Sequence, residues 1–375
     1  MRIGIDARGI TDGFKGGVGE YTQHIIQSLS ESQDLDLEFL ATGIRHNSEI
    51  IGVKNTWLQY PNRALNFSLK TLGRPYLDRA FSQKPDKVWM PNWNITSVSP
   101  ETELILTVHD LAIRVLPEVF SQKMRLWHKY IGIDKLLDRT NTIIAISEST
   151  KRDLIDIYGV KSEKIKVIYS GIDPLFRQEF SQPAIQQVKQ KYNLPEKYIL
   201  YLGTIEPRKN IQLLIQAFEQ VAIRDKEVKL VIAGVNGWLY KQIHQAIDNS
   251  PFRDRILRIG FVAVEDKPIV YKLARVFVYP SLYEGFGFPP LEAMASGTPT
   301  IVANNSVFPE IVLNSAYKTS PYDKLELSEI IYSMLTDNSL YKHYAKQGLE
   351  RSLDFNWDKT AQEMRDVFIN RYEKD

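Results

Sequence analysis

An α/β chain built on two doubly wound parallel sheets is predicted by two observations. Short apolar, β-branched runs alternate with longer helix-like stretches along the whole chain, the pattern left by parallel strands joined through helical crossovers. The length of 375 residues exceeds one ordinary core and suits about two domains of roughly 150 to 200 residues each. In the first half the strand-like runs are 2–5, 37–41, 87–90, 104–108, 142–146 and 165–168. In the second they are 198–202, 229–233, 256–259, 276–279 and 299–302. Between the halves lies a polar, proline-punctuated segment, Ser170-Gly171-Ile172-Asp173-Pro174 through Asn193-Leu194-Pro195. The expected division is a first domain over 1–172, a linker over 173–195 and a second domain over 196–356.

Composition narrows the function. Apolar residues make up 43% of the chain, as in a globular protein, and the net charge of +2 lacks the concentrated basic face of a dedicated nucleic-acid binder. There is no cysteine, which excludes disulfides and thiolate chemistry and is compatible with a reducing cytoplasm. The opening Met1-Arg2-Ile3-Gly4-Ile5-Asp6 reads as a strand rather than a secretory signal. No apolar stretch approaches the roughly 18 to 20 residues of a membrane span, so a soluble, cytoplasmic protein is expected.

In open parallel sheets ligands bind beyond the carboxyl ends of the strands, and the unusual residues of this chain fall in those loops. After the first strand comes Asp12-Gly13-Phe14-Lys15-Gly16-Gly17-Val18-Gly19-Glu20-Tyr21-Thr22, leading into a helical pattern at Ile25, Ile26 and Leu29. Its glycines let the backbone approach an anion or a sugar, although a plain flexible loop has the same composition. It is not the dinucleotide fingerprint, because Thr22 stands where a further glycine belongs. His109-Asp110 follows 104–108 as a titratable pair. A strand-end histidine is often only structural, but Ser147-Glu148-Ser149 likewise follows a strand and opens a helix with a capping pattern.

In the second half, Gly203-Thr204-Ile205-Glu206-Pro207-Arg208-Lys209-Asn210 places two cations just before a helix whose amino terminus is itself positive, a combination suited to phosphate. The richest segment is Tyr283-Glu284-Gly285-Phe286-Gly287-Phe288-Pro289-Pro290-Leu291-Glu292-Ala293-Met294-Ala295-Ser296-Gly297. It reads strand, loop, helix: Glu284 is expected in the loop, the prolines at the helix start and Glu292 in the first helical turn. Amides of Gly285, Gly287 and the helix start would face a ligand between the two carboxylates. Amides for phosphate and carboxylates for hydroxyls suit a phosphorylated, hydroxyl-rich ligand. The plainer reading gives Glu292 to the helix dipole and the glycines to a tight turn.

No metal site is expected. Asp34-Leu35-Asp36 reads as surface charge at a helix-to-strand turn, and the six histidines have no ligand spacing. The charge of a departing diphosphate would then fall to Arg208, Lys209 and helix amides.

Gly16-Gly17-Val18-Gly19, His109-Asp110, Ala145-Ile146-Ser147-Glu148-Ser149-Thr150, Gly203 to Asn210, Ala233-Gly234, Gly260-Phe261-Val262 and the Glu284-to-Glu292 element together resemble a retaining glycosyltransferase of family 4. The resemblance covers nearly the whole chain. It implies the GT-B fold, two Rossmann-like domains facing a central cleft, with the C-terminal segment 357–375 crossing back onto the first. It implies a donor diphosphate held by Arg208, Lys209 and the amides of Gly285, Phe286, Gly287 and Phe288, with Glu292 on the ribose and Glu284 on hexose hydroxyls. Val262 would lie near the base and His109 near the hexose and the reacting centre, with Gly17, Thr204 and Leu291 completing the donor side. Gly16, Gly19, Glu20 and Asp110 would line the acceptor side.

The implied activity is metal-independent transfer of a hexose from a nucleoside-diphosphate sugar, UDP-glucose or GDP-mannose, to a glycan or lipid-linked acceptor in bacterial cell-surface polysaccharide synthesis. No cofactor is implied. Retention without an evident protein nucleophile fits front-face transfer, whereas Glu284 as a covalent nucleophile is the alternative. Two basic amphipathic stretches, 67–84 and 123–139, are candidates for peripheral contact with the inner face of the cell membrane. Among rivals, a sugar phosphorylase would need a pyridoxal lysine for which no local signature exists, and an oxidoreductase would need the missing glycine fingerprint. A non-catalytic sugar-binding subunit has no chemical need for Arg208, Lys209 and both glutamates together.

Overall fold

A computed structural model describes residues 1–8, 17–30, 32, 34–42 and 53–371. The chain forms two compact units. One comprises Met1–Leu111, Gln122–Gly171 and Asn356–Asp375, the other Ala112–Ser121 and Ile172–Phe355. The stretch 173–195, expected to link the domains, carries a 3-10 turn at Pro174–Arg177 and the helix Gln182–Lys191 and lies within the second unit.

The first unit is built on seven strands: β1 (Arg2–Asp6), β2 (Asp36–Thr42), β3 (Lys54–Leu58), β4 (Lys87–Met90), β5 (Glu103–Val108), β6 (Thr142–Ala145) and β7 (Ile165–Val167). They pair in parallel in the order β3-β2-β1-β4-β5-β6-β7. The second unit has β8 (Tyr198–Leu202), β9 (Lys229–Ala233), β10 (Ile256–Gly260), β11 (Val276–Tyr279), β12 (Thr300–Ala303) and β13 (Tyr317–Thr319), also parallel, ordered β10-β9-β8-β11-β12-β13. Helices cover both faces, so the central strands are apolar without alternation; β8 and β11 are buried at every position. Two strands escaped the sequence pattern, β3 and β13. Both are short edge strands, partly exposed and polar, and an edge has no need of the continuous apolar run that marks a central strand.

In each unit the strand order reverses at one place, between β1 and β4 and between β8 and β11. There the crossovers leave the sheet in opposite directions, and a crevice opens beyond the carboxyl ends of the paired strands. Most loops singled out by sequence follow these strands or their immediate neighbours; those at Ser147 and Val262 follow β6 and β10, one strand further out.

The C-terminal helix Trp357–Phe368 completes the first unit. It packs on the helix Gly17–Ser30, with Trp357 stacked on His24 at 4.6 Å and edge-on to Tyr21 at 6.0 Å. Phe368 lies 5.7 Å from Trp89 of β4. The backbone approach is close enough that a Cβ on Gly171 would sit 2.3 Å from the Trp357 nitrogen, so only glycine fits there. Asp34, on the helix-to-strand turn, pairs with Arg365 and is surface charge as expected. Among the described residues, no helix is long and apolar enough to cross a membrane.

Candidate active site

The switch point of the second unit carries a buried cluster of four charges. After β8 the chain enters a 3-10 turn, Pro207–Lys209, and leaves it through Asn210 in the left-handed region, φ +56°. Asn210 Nδ2 donates to Pro280 O at 3.2 Å and to Pro321 O at 2.8 Å, which ties this loop to the one after β11. Arg208 and Lys209 are thereby aimed at Glu284. Arg208 Nη1 donates to Glu284 Oε2 at 2.9 Å and to Tyr283 O at 2.7 Å, while Lys209 Nζ reaches Glu284 Oε1 at 2.5 Å. Ser281 Oγ adds a third donor to Glu284 at 2.7 Å, and the Glu284 amide donates to Ser306 Oγ at 3.1 Å. On its far side the Arg208 guanidinium holds Glu206, Nη2 to Oε1 at 2.9 Å.

Two carboxylates and two cations, all buried or nearly so, balance formally. The balance is not even. Burial works to raise the pKa of Glu284, but Arg208 and Lys209 outweigh it and hold the carboxyl at about 2. Glu206 moves the other way: burial dominates and the cations only partly offset it, so its pKa is raised. Burial, reinforced by the neighbouring Arg208, lowers Lys209 against the pull of Glu284. Burial also pushes the hydroxyls of Tyr201 and Tyr279 well up, so both rings stay neutral while stacking at 5.6 Å under the cluster. Lys209 Nζ lies 5.2 Å from the centroid of the Tyr279 ring.

Beyond Glu284 the chain makes a tight passage into the helix Phe288–Ala295, capped by Gly287 at φ +100°. A side chain there would meet the Phe308 ring at 3.1 Å in a backbone conformation that L residues avoid. Gly285, Phe286 and Gly287 are buried, yet none of their backbone N–H groups has an acceptor among the described residues. Buried amides are nearly always paired, and three consecutive exceptions beside two cations leave donors that an anion could satisfy. Proline at the start of the helix is as expected. Glu292 is not in the first turn: the helix begins at Phe288, before both prolines, which places Glu292 fifth, in the second turn. The helix-dipole explanation loses its force there, since that effect is confined to the terminal turn. Glu292 points inward, accepting from Tyr271 Oη at 2.8 Å and facing Lys267 at 3.5 Å. Those contacts leave lone-pair sites on its carboxylate for a further donor. Leu291 beside it is fully buried.

Thr204 and Val262, two further residues expected on the donor side, lie in the same unit. Thr204 O accepts from Tyr201 Oη at 2.9 Å. Val262 follows β10 and is buried; the next amide, of Ala263, donates to Tyr192 Oη at 3.1 Å, and Tyr192 in turn donates to Asp266 at 2.8 Å.

His109, Asp110, Gly17, Gly19 and Glu20 belong to the first unit. Gly16 lies outside the described residues, whereas Gly17, Gly19 and Glu20 fall in the first turn of the helix Gly17–Ser30. His109 stands beside that helix, edge-on to Tyr21 at 4.9 Å. Its Nε2 lies 2.8 Å from Pro91 O. A carbonyl can only accept, so Nε2 carries hydrogen. Burial lowers the His109 pKa despite Pro91 and Asp110, which leaves a neutral ring with Nδ1 as acceptor. Four contributors were not singled out by sequence: Glu206, Ser281, Ser306 and Tyr271. Glu206 stood inside a motif already noted, and its place two residues before Arg208 was the available signal. The others reach the site only through the fold.

Two family models match the chain, Glycosyltransferase Family 4 over residues 15–175 and Glycosyl transferases group 1 over residues 184–351. The O-antigen chain mannosyltransferase B of Escherichia coli is 32% identical over 258 residues, 68% of this chain and 67% of that protein. The chain belongs to glycosyltransferase family 4. The serotype-specific mannosyltransferase WbdA of Escherichia coli is 33% identical over 60% of this chain, but the match spans only 28% of WbdA. The fold of this family 4 member is also that of Anabaena Alr3699/HepE, solved in complex with UDP and glucose. The TM-score is 0.74 at 20% identity, covering 99% of this chain and 100% of that one. The two parallel-sheet units are therefore the GT-B fold of a glycosyltransferase.

Proposed function

We propose that this glycosyltransferase moves a hexose, with retention, from a nucleoside-diphosphate sugar to a glycan or lipid-linked acceptor in cell-surface polysaccharide synthesis. The observation that carries the donor reading is the pairing of Arg208 and Lys209 with Glu284 beside the three unpaired amides of residues 285–287. A diphosphate entering this cradle takes over the two cations, which hold it as charge grows on the departing group. Glu284 is released by the same exchange and turns to the hexose hydroxyls, while Glu292 takes the ribose. His109, neutral with Nδ1 free of its proton, accepts from a hexose hydroxyl near the reacting carbon. Front-face transfer follows if the departing phosphate takes the acceptor's proton.

UDP-glucose and GDP-mannose are the proposed donors, and the names of the E. coli relatives weigh towards mannose. The UDP and glucose in the HepE complex support a nucleotide sugar in general. Charge neutralisation by Arg208, Lys209 and backbone amides makes the reaction independent of metal. Peripheral attachment to the inner face of the cell membrane belongs to the same reading. Incubation with a panel of nucleotide sugars, followed by detection of the released nucleotide and NMR of the product anomer, tests it. Release of UDP or GDP with retained configuration supports the proposal; inversion overturns the front-face mechanism, and wild-type turnover in both Arg208→Ala and Lys209→Ala overturns the phosphate role.

A further inference from the structure

The first unit contains a cavity of about 270 Å³ between the helix Asn62–Leu72, the loop 94–98 after β4 and the helix Ile133–Arg139. That is far above the roughly 10–15 Å³ needed by one water. Its wall carries three cations, Lys70, Lys135 and Arg139, and no carboxylate. Among the described residues none of the three forms an ion pair. Lys70 Nζ donates to Ile131 O at 3.0 Å, and Arg139 Nη2 donates to Ser99 O and Thr102 O, each at 2.8 Å. These acceptors are neutral, so they satisfy hydrogen bonds without cancelling charge. Thr96 adds a buried hydroxyl, Oγ1, with no hydrogen-bond partner. Lys70 and Lys135 are exposed at the rim, Arg139 is half-buried, and the aspartates of the helix Ile133–Arg139 are not on the wall, so cations and an orphaned hydroxyl line one cavity in a way that suits an anion.

What surrounds the opening indicates where that anion comes from. Lys70 and Ile131, both on the wall, belong to the helices Asn62–Leu72 and Gln122–Ile131. These helices expose Phe67 (64%), Leu72 (73%), Leu126 (69%) and Trp127 (50%) to solvent. They also carry Arg63, Lys70, Lys123, Arg125 and Lys129, and no Asp or Glu. Large apolar side chains interspersed with cations on helices free of acid suit the boundary of an anionic bilayer.

We infer that this cavity binds the phosphomonoester headgroup of an anionic membrane lipid, with the exposed faces of the two helices seated on the bilayer around it. The inference rests on the membrane-attachment part of the reading above and is independent of the donor chemistry. Lys70, Lys135 and the Thr96 hydroxyl converge on the phosphate, with Arg139 behind them, whereas Phe67, Leu126 and Trp127 enter the interface.

The test compares two double variants of equal charge, Lys70→Gln/Lys135→Gln in the cavity and Lys123→Gln/Lys129→Gln outside it, with Thr96→Val as a variant that keeps the charge. Circular dichroism and UDP and GDP binding confirm the fold, and the second unit's nucleotide affinity should be unchanged in all of them. Binding is measured by co-sedimentation with phosphatidylcholine vesicles doped with phosphatidic acid, or with phosphatidylserine at equal surface charge. The cavity pair should lose roughly tenfold more affinity for phosphatidic acid than the outer pair, the scale of a charge-assisted hydrogen bond. On phosphatidylserine the two pairs should lose alike, as diffuse attraction requires. Thr96→Val should weaken binding to phosphatidic acid alone. Equal losses by both pairs on both lipids would overturn the cavity site and leave membrane attachment standing. Binding of inorganic phosphate that the cavity pair abolishes, in a wild type that ignores every vesicle, would overturn the lipid source in favour of a free phosphorylated ligand.

Discussion

Glu284 is held by the two cations that the proposed donor needs, and that competition predicts for it a role distinct from that proposed for Glu292. Replacing Glu284 with glutamine removes the competitor, so affinity for free UDP or GDP should stay the same or rise while transfer falls. Glu292→Gln should instead weaken the free nucleotide by roughly 1.5–3 kcal/mol, the loss of a charge-assisted hydrogen bond to the ribose. Calorimetric titration of both variants separates the roles, and equal loss of nucleotide affinity would dissolve the distinction. Alanine at Arg208 or Lys209 should reduce turnover on the order of 10²-fold. The charge cluster also has a pH signature. Because the folded pKa of Glu284 is depressed to about 2 from an ordinary 4.5, its contribution to stability is present above the ordinary value and is lost as pH falls towards 2. The melting temperature of the wild type should fall over that window, and Arg208→Ala, which removes the dominant cation, should flatten the fall. Sequence showed these four positions because charge, glycine and proline are conspicuous in a loop. It did not show the pairing of Glu206 with Arg208 or the tie from Tyr271 to Glu292, which spans 21 residues and exists only when two helices pack.

Strands and helices set the precision with which those side chains are held. Asn210 joins the loops after β8 and β11, and Asn210→Ala leaves two carbonyls without their donor, a cost of about 1–3 kcal/mol if they stay buried. Urea unfolding measures it. Gly287→Ala should bring a larger functional loss than its size suggests, because the positive φ and the Phe308 ring together force the amides of 285–287 out of register. Nucleotide affinity should drop while the sheets persist by circular dichroism. Legibility at this scale followed burial. Strands covered on both faces announced themselves as continuous apolar runs, while β3 and β13, at the edges, carry residues such as Lys54, Asn55 and Lys318 that a loop would carry as well. The prolines read correctly into the first turn, but Glu292, expected there too, falls in the second turn because the helix already starts at Phe288.

For the molecule as a whole, the proposed catalysis by protein cations alone predicts that transfer survives excess EDTA; a strict requirement for added Mg²⁺ would show that the leaving group is neutralised in another way. The helix Trp357–Phe368 is as much a part of the first unit as the helices that precede it in the chain. Trp357→Ala should cost about 3–5 kcal/mol, as for a buried tryptophan, and urea unfolding should show the loss in the first unit. The seam on Tyr21 and Trp89 has a consequence for the way the protein is made. All seven strands of the first sheet leave the ribosome before Ile172, yet the residues that cover that seam come only after Phe355. At roughly 5–20 residues per second the interval is about 10–40 s. For that time the nascent first unit presents two aromatic rings to water, and its window of vulnerability to aggregation is set by the translation time of the other unit.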